Sequence, residues 1–167
     1  TLRRSSAASD VYKRQRSEVY NKKIKNLSKV ISGIGFEETK TLPTIVGLCE
    51  VENKNVVEDL INSDLLKNAN YGISHFDSPD ERGIDVALIY RKNIFKILNE
   101  NSAYLELKYA SGKINYTRDQ LVVEGVLENE KIYIIVNHWP SRSGGELGSR
   151  PYLSLIHISE PTRPNEI

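Results

Sequence analysis

Apolar positions along this chain follow two rhythms. From Ser17 to Ile34 they recur every three or four residues (Val19, Tyr20, Ile24, Leu27, Val30, Ile31, Ile34) with lysines on the other face, which predicts an amphipathic helix. Gly33 and Gly35 end it, and Pro43 precedes a new apolar run. Thr44 to Val51, TIVGLCEV, is apolar almost throughout, so a strand covered on both faces is expected, closing in Glu50, Glu52 and Asn53. The helical period returns through Val56, Val57, Leu60 and Ile61, with Asn53 or Asn55 available as the cap. Tyr71 to Phe76 reads as a short strand, Asp77 to Gly83 (DSPDERG) as a polar turn, and Asp85 to Arg91 as a third buried strand. Ile94 to Tyr109 alternates like a half-exposed strand pair before a turn at Gly112. Gln120 to Leu127 and Lys131 to Val136 form a predicted hairpin across Glu128, Asn129 and Glu130. Ile132 to Val136 lacks a period of two, so both of its faces are also expected to be covered. A helix, a strand, a helix and then many strands predict an α/β layered sandwich with mixed sheets.

The two ends break this organisation. Asp10 to Gln15, DVYKRQ, can be encoded by GAT GTG TAT AAG AGA CAG, whose reverse complement encodes LSLIHI, the sequence of Leu153 to Ile158. That DNA resembles a transposon mosaic end used in sequencing libraries. SSAAS (Ser5 to Ser9) and SEPTR (Ser159 to Arg163) look like the remainder of the two adapters. The expected organisation is therefore a non-native segment over 1–15, a natural segment over 16–152 cut at both ends, and a second non-native segment over 153–167. His157 is accordingly not counted as functional.

Setting the ends aside changes the charge. Five of the 23 basic and three of the 22 acidic residues fall there, leaving 18 against 19 and a net charge of −1. A near-neutral chain has no general attraction for polyanions, so binding of that kind must be local to a site. The remaining length suits one domain with a core. No apolar run approaches the ~20 residues of a membrane span. Cys49, the one cysteine, allows no internal disulfide and reads as a small core residue in its apolar strand.

The candidate chemistry sits where strands end. Glu50 closes a strand with no Lys or Arg beside it, which suits a hard oxygen ligand for magnesium as well as a carboxylate reaching water. Val136 runs into Asn137 and His138, whose imidazole suits phosphate contact or proton transfer as well as a structural role. Beyond Pro140, the loop Ser141, Arg142, Ser143, Gly144 and Gly145 offers a hydroxyl, a guanidinium and free amides to an oxyanion. Arg82, Arg118, Arg142 and Ser141 are phosphate-contact candidates, each also readable as solvated surface. Asn53, Asp77 and Asp85 complete the polar clusters at strand tips, where open α/β folds place their sites.

In order, GLCEVEN (Gly47 to Asn53), SPDERGIDVALIY (Ser78 to Tyr90), TRD (Thr117 to Asp119) and VNHWPSRSGGE (Val136 to Glu146) resemble the endonuclease/exonuclease/phosphatase superfamily, with its deoxyribonuclease I-like fold, and look closest to Bacteroidetes-type bacterial members. The resemblance covers nearly all of Thr44 to Tyr152. It implies part of a four-layered α/β/β/α sandwich, incomplete here, and phosphoester cleavage with Mg2+, or Mn2+ or Ca2+ in its place. Glu50 matches the metal-binding glutamate, and His138 the histidine that contacts the scissile phosphate or protonates the leaving oxygen. The Asp77 to Asp85 segment falls where the family supports that histidine or lines the phosphate pocket. An N-terminal catalytic Asn, an Asp-x-Asn motif and an Asp-His pair belong to the family pattern and do not occur in this sequence at matching places, which the adapter reading attributes to truncation. The chain alone is therefore expected to be inactive and poorly stable, with strand edges uncovered.

The implied function is a metal-dependent, nuclease-like phosphodiesterase acting on a phosphoester substrate, nucleic acid among the candidates. A lipid or inositol phosphate phosphodiesterase of the same fold and a non-catalytic phosphate-binding module are the alternatives. Compartment stays open between secreted, periplasmic and other locations. Sequencing the source locus is expected to show DNA that departs from the present codons before Arg16 and after Tyr152; genomic codons identical to those of Asp10 to Gln15 and Leu153 to Ile158 would refute the adapter origin.

Overall fold

The computed structural model describes residues 2–104, 107–108 and 112–139, with side chains over 17–104, 112–114 and 116–139. Pro140 to Glu146, including the Ser141 and Arg142 candidates, and the segment 153–167 lie outside the described residues.

Helix α1 spans Leu2–Gly33 and is followed by a one-turn helix α2, Phe36–Thr39. The helix was expected from Ser17; it begins at Leu2 because no Gly or Pro interrupts the upstream run, and helix propagation costs little once a turn exists. Then come β1 (Ile45–Val51), α3 (Lys54–Ile61), a 3-10 turn at Lys67–Ala69, β2 (Tyr71–His75), β3 (Asp85–Arg91), β4 (Phe95–Ala103), β5 (Leu107–Lys108), β6 (Ile114–Asn115), β7 (Gln120–Leu127) and β8 (Glu130–Val136).

Two three-stranded sheets result, in the orders β1-β3-β2 and β4-β7-β8, beside a two-stranded β5-β6 ribbon. Mixed sheets were expected, but every described pairing is antiparallel. The reason is topological. The α3 crossover does make β1 and β2 run parallel to each other, yet β3 is inserted between them and is antiparallel to both. The β7–β8 hairpin closes over Glu128 and Asn129 alone, both at positive φ (50° and 69°), the geometry of a tight two-residue turn.

β3 is buried on both faces and separates two cores. Ala87 and Ile89 pack with Ile31, Val57, Leu60 and Leu66 under the helices. Val86 and Leu88 pack with Phe95, Leu121, Val123 and Val136 between the sheets. Among the described residues the chain is thus three layers: helices, first sheet, second sheet.

The outer faces are less covered than their apolar runs suggested. α1 meets the core along one line, through Ile24, Ser28 and Ile31, whereas Val19 and Val30 remain exposed. β8 alternates after all: Ile132, Ile134 and Val136 face the core, and Tyr133 and Ile135 are 63% and 55% exposed. β1 is likewise only half covered, and Cys49, expected in the core, is exposed. Each of these strands ends a sheet order, and β8 has no described layer on its outer face, so a run of β-branched residues did not guarantee two-sided burial.

Close packing between the sheets relies on Gly125. A Cβ there would collide with the Phe95 ring and lie 2.8 Å from the Lys96 carbonyl, and Phe95 itself stacks edge-on against Tyr90 with ring centroids 5.7 Å apart. Gly125→Ala is expected to lower stability by about 1–3 kcal/mol through overpacking, read as a drop in the urea midpoint. Gly33→Ala, where nothing lies within 4 Å of the added carbon, should not produce such a drop.

Candidate active site

The site forms where β1 and β8 end on the same side of the sandwich. The β1–β3 register slips between Cys49 and Val51, leaving Glu50 as a bulge residue at φ +60°. A bulge re-aims a side chain, and the left-handed backbone at a non-glycine residue stores local strain. Glu50 consequently projects outward, with its side chain 68% exposed. From the other sheet, the β8 ladder stops at the Val136–Leu121 pair, and Asn137, His138 and Trp139 continue without strand pairing. Cys49 Sγ donates to the Asn137 carbonyl at 3.6 Å, stitching the two tips together.

The result is that His138 Nε2 lies 3.7 Å from Glu50 Oε1, although the two residues are 88 positions apart. That is contact between an imidazole and a carboxylate, too long for a good hydrogen bond. His138 is one-quarter exposed, and its Nδ1 is buried with no partner among the described residues. Burial and the nearby Arg118 guanidinium lower its pKa, with Arg82 adding to the effect and Glu50 and Asp80 opposing it. The imidazole is therefore neutral at neutral pH, with one nitrogen able to accept and one to donate.

Arg118 does something other than its sequence context implied. Its side chain is 5% exposed, its Nη1 donates to Asp80 Oδ2 at 3.1 Å, and its Nη2 donates to the carbonyls of His138 (3.0 Å) and Trp139 (3.4 Å). Arg118, expected as a phosphate contact, is thus buried and engaged inward. Arg82 is the exposed guanidinium here, with its Nε 3.5 Å from Asp80 Oδ1 and its side chain 61% exposed. Asp80 also accepts the Arg82 backbone N–H at 2.9 Å within a turn closed by Gly83 N–H to the Asp80 carbonyl.

A second polar cluster lies at the start of β3. Asp85 Oδ1 accepts from the Ser78 N–H (2.9 Å) and hydroxyl (2.6 Å), while its Oδ2 meets His75 Nε2 at 3.1 Å. Both side chains of the His75–Asp85 pair are nearly buried, at 3% and 7% exposure. With the exposed Asp77, they are the one group of three among the described residues whose donor atoms lie within 4.8 Å of one another. Asp85, a candidate for the phosphate pocket, has both oxygens engaged within this loop. Asn53 is likewise the cap of α3, its side chain accepting from the Val56 N–H at 3.2 Å.

The donor set fits one hard cation at the β1 tip. Glu50 is a solvent-facing carboxylate with no Lys or Arg partner among the described residues, and magnesium takes one or two protein carboxylates with water and phosphate completing its shell. His75 and Asp80 were not singled out by the sequence reading. Only the acceptor-rich DSPDERG turn pointed to Asp80, without saying which acceptor faces inward, and nothing pointed to His75.

The fold and the motifs agree with known proteins. The sequence profile described as the Endonuclease/Exonuclease/phosphatase family matches residues 7–156, and the chain belongs to that family. Similar solved structures include a humanized D. rerio TDP2 carrying 14 mutations (15% identity, TM-score 0.56, covering 84% of this chain and 54% of that one). D. rerio TDP2 complexed with a single strand DNA product is another, at 16% identity, TM-score 0.51, and coverage of 80% and 48%. The endonuclease/exonuclease/phosphatase from Bacteroides vulgatus shows 18% identity and TM-score 0.50, with 78% and 49% covered. These likenesses show the fold, and the chain spans about half the length of each of those structures. No curated protein sequence matches the chain. No helix among the described residues is long and apolar enough to cross a membrane.

Asp80 ties stability to pH. Burial would raise its pKa, but the Arg118 hydrogen bond, the Arg82 N–H and both guanidinium charges outweigh that and hold it below the ordinary 3.8. A depressed folded-state pKa contributes stability that is complete above the unfolded value and is lost as pH falls through the lower folded value. Urea midpoints of the chain should therefore fall as pH drops below about 4, and the gap between wild type and Asp80→Asn should narrow over the same interval. A gap that is constant from neutral pH into that range would contradict the ion pair.

Proposed function

We propose that this chain carries part of the active surface of a divalent-metal-dependent phosphodiesterase of the nuclease type. The observation that carries the reading is the meeting of Glu50 and His138 at 3.7 Å across two sheets, with an exposed Arg82 tethered nearby. Glu50 would hold the ion. When bound, such an ion supplies Lewis-acid stabilisation of charge developing on a phosphoryl oxygen.

The chain's own residues then divide the remaining work. The neutral His138 donates a hydrogen bond from one ring nitrogen to a non-bridging phosphate oxygen, and its partial burial keeps competing water away. Arg82 offers its free guanidinium nitrogens to the substrate's charge from the solvent side. Asn137, next to His138, is half-buried with an unpartnered side-chain oxygen and lines the same tip. The D. rerio TDP2 neighbour was solved with a single strand DNA product, which supports a nucleic-acid phosphodiester as substrate over lipid or inositol phosphates. Attack by water needs a general base; the described residues offer none opposite His138, so turnover is a property to be measured on the chain together with whatever its source locus encodes on either side.

Two measurements test this. Mn2+ added to the chain should broaden amide signals around Glu50 and His138, and Glu50→Gln should abolish that effect. Magnesium-dependent cleavage of a DNA phosphodiester by the locus-encoded protein should fall about 100-fold or more in Glu50→Gln and in His138→Ala. Turnover indifferent to both substitutions would sink the proposal. Phosphate binding untouched by chelation, with no turnover, would favour a non-catalytic phosphate-binding module.

A further inference from the structure

Arg118 and Asp80 form a buried bridge between elements that share no strand pairing. Asp80 lies in the loop joining β2 to β3 of the first sheet, and Arg118 lies just before β7 of the second. Their side chains are 4% and 5% exposed. The β7–β8 ladder ends at Leu121–Val136, so among the described residues the backbone of 137–139 has no strand pairing and is touched by β1 only where Cys49 Sγ meets the Asn137 carbonyl. The Arg118 fork takes over at that point, with one nitrogen on the carboxylate and the other on two successive carbonyls, His138 and Trp139.

The Asp80 end is itself fixed. Its second oxygen accepts the Arg82 N–H, and its carbonyl accepts the Gly83 N–H. The guanidinium is therefore clamped at its base before it reaches His138. A planar fork holds two directions at once, which a lysine ammonium on a flexible stem does not.

We infer that the Asp80–Arg118 pair is a latch that sets the position of the His138 imidazole against Glu50, making Arg118 a positioning residue. This rests on the reading of Glu50 and His138 as the reacting tip. It excludes direct contact between Arg118 and the substrate, and it makes Asp80, which bears the wrong charge for phosphate binding, necessary for that binding.

The test uses the chain itself, with Arg118→Lys and the milder Asp80→Asn, each first shown to unfold cooperatively in urea; should the lysine variant fail to fold, Asp80→Asn decides. Imidazole NMR signals of His138, identified by their loss in His138→Ala, are expected to move in both variants. Those of His75, held by Asp85 on another loop, should stay in place and report that the fold is intact. Affinity for inorganic phosphate should weaken in Asp80→Asn, although removing a carboxylate favours an anion electrostatically. Where turnover is found, kcat should fall roughly tenfold to a hundredfold with little change in KM. His138 signals identical to wild type in the folded variants, or phosphate binding strengthened by Asp80→Asn, would overturn the latch. A wild-type chain that binds no phosphate, with His138 signals that still move, would uphold the latch and instead remove the phosphodiesterase reading.

Discussion

β3 is the element on which the rest depends, because it is the central strand of the first sheet and both of its faces are filled. Ala87 and Ile89 look toward the helices and Val86 and Leu88 toward the second sheet, all of them at 5% exposure or less. With β1 and β2 paired to its two edges, β3 fixes where the first sheet meets the second. Close packing of Phe95, Leu121, Val123 and Val136 against it then leaves little freedom in how β8 lies over β1. The tips of β1 and β8 converge as a consequence of core packing, and Glu50 and His138 come together without any strand pairing between β1 and β8.

Around that tip, burial separates structural charges from available ones. Asp80 and Arg118 are sealed, and a sealed ion pair is tolerable only if its remaining hydrogen-bonding groups are matched, because removing one partner from such a pair typically costs about 3–5 kcal/mol. Asp80 is fully matched. Arg118 retains an unpartnered Nε, so the pair is better understood as defining geometry than as adding stability. Glu50 and Arg82 are open to solvent, where an ion or a phosphate can reach them.

Much of this was legible in the residues, for identifiable reasons. The strands over 45–51, 71–75, 85–91 and 120–127 were evident from continuous or alternating apolar runs, and the α3 cap from Asn53 preceding a helical period. Glu50 and His138 stood out because each ends such a run with a polar group. Other features were hidden because they depend on what lies opposite. Nothing local distinguishes Tyr133 and Ile135, which are exposed, from Ile134, which is not, until the neighbouring layer is known. Arg118 and Arg82 look alike in sequence; only their position relative to Asp80 makes one a buried fork and the other an exposed partner of the same carboxylate. His75 gave no signal, since its partner is the carboxylate of a strand ten residues on.

By itself, then, the sequence determined the elements and the family, because periodicity, turn chemistry and ordered motifs are properties of neighbouring residues. It also determined that a carboxylate and an imidazole end two separate strands. The tertiary structure decided how those groups face each other and which charges stay wet. It also decided that one arginine turns inward, onto Asp80 and the carbonyls of His138 and Trp139. These outcomes depend on distances and exposure between segments as much as 88 residues apart, and such quantities exist only once β3 has been packed on both sides.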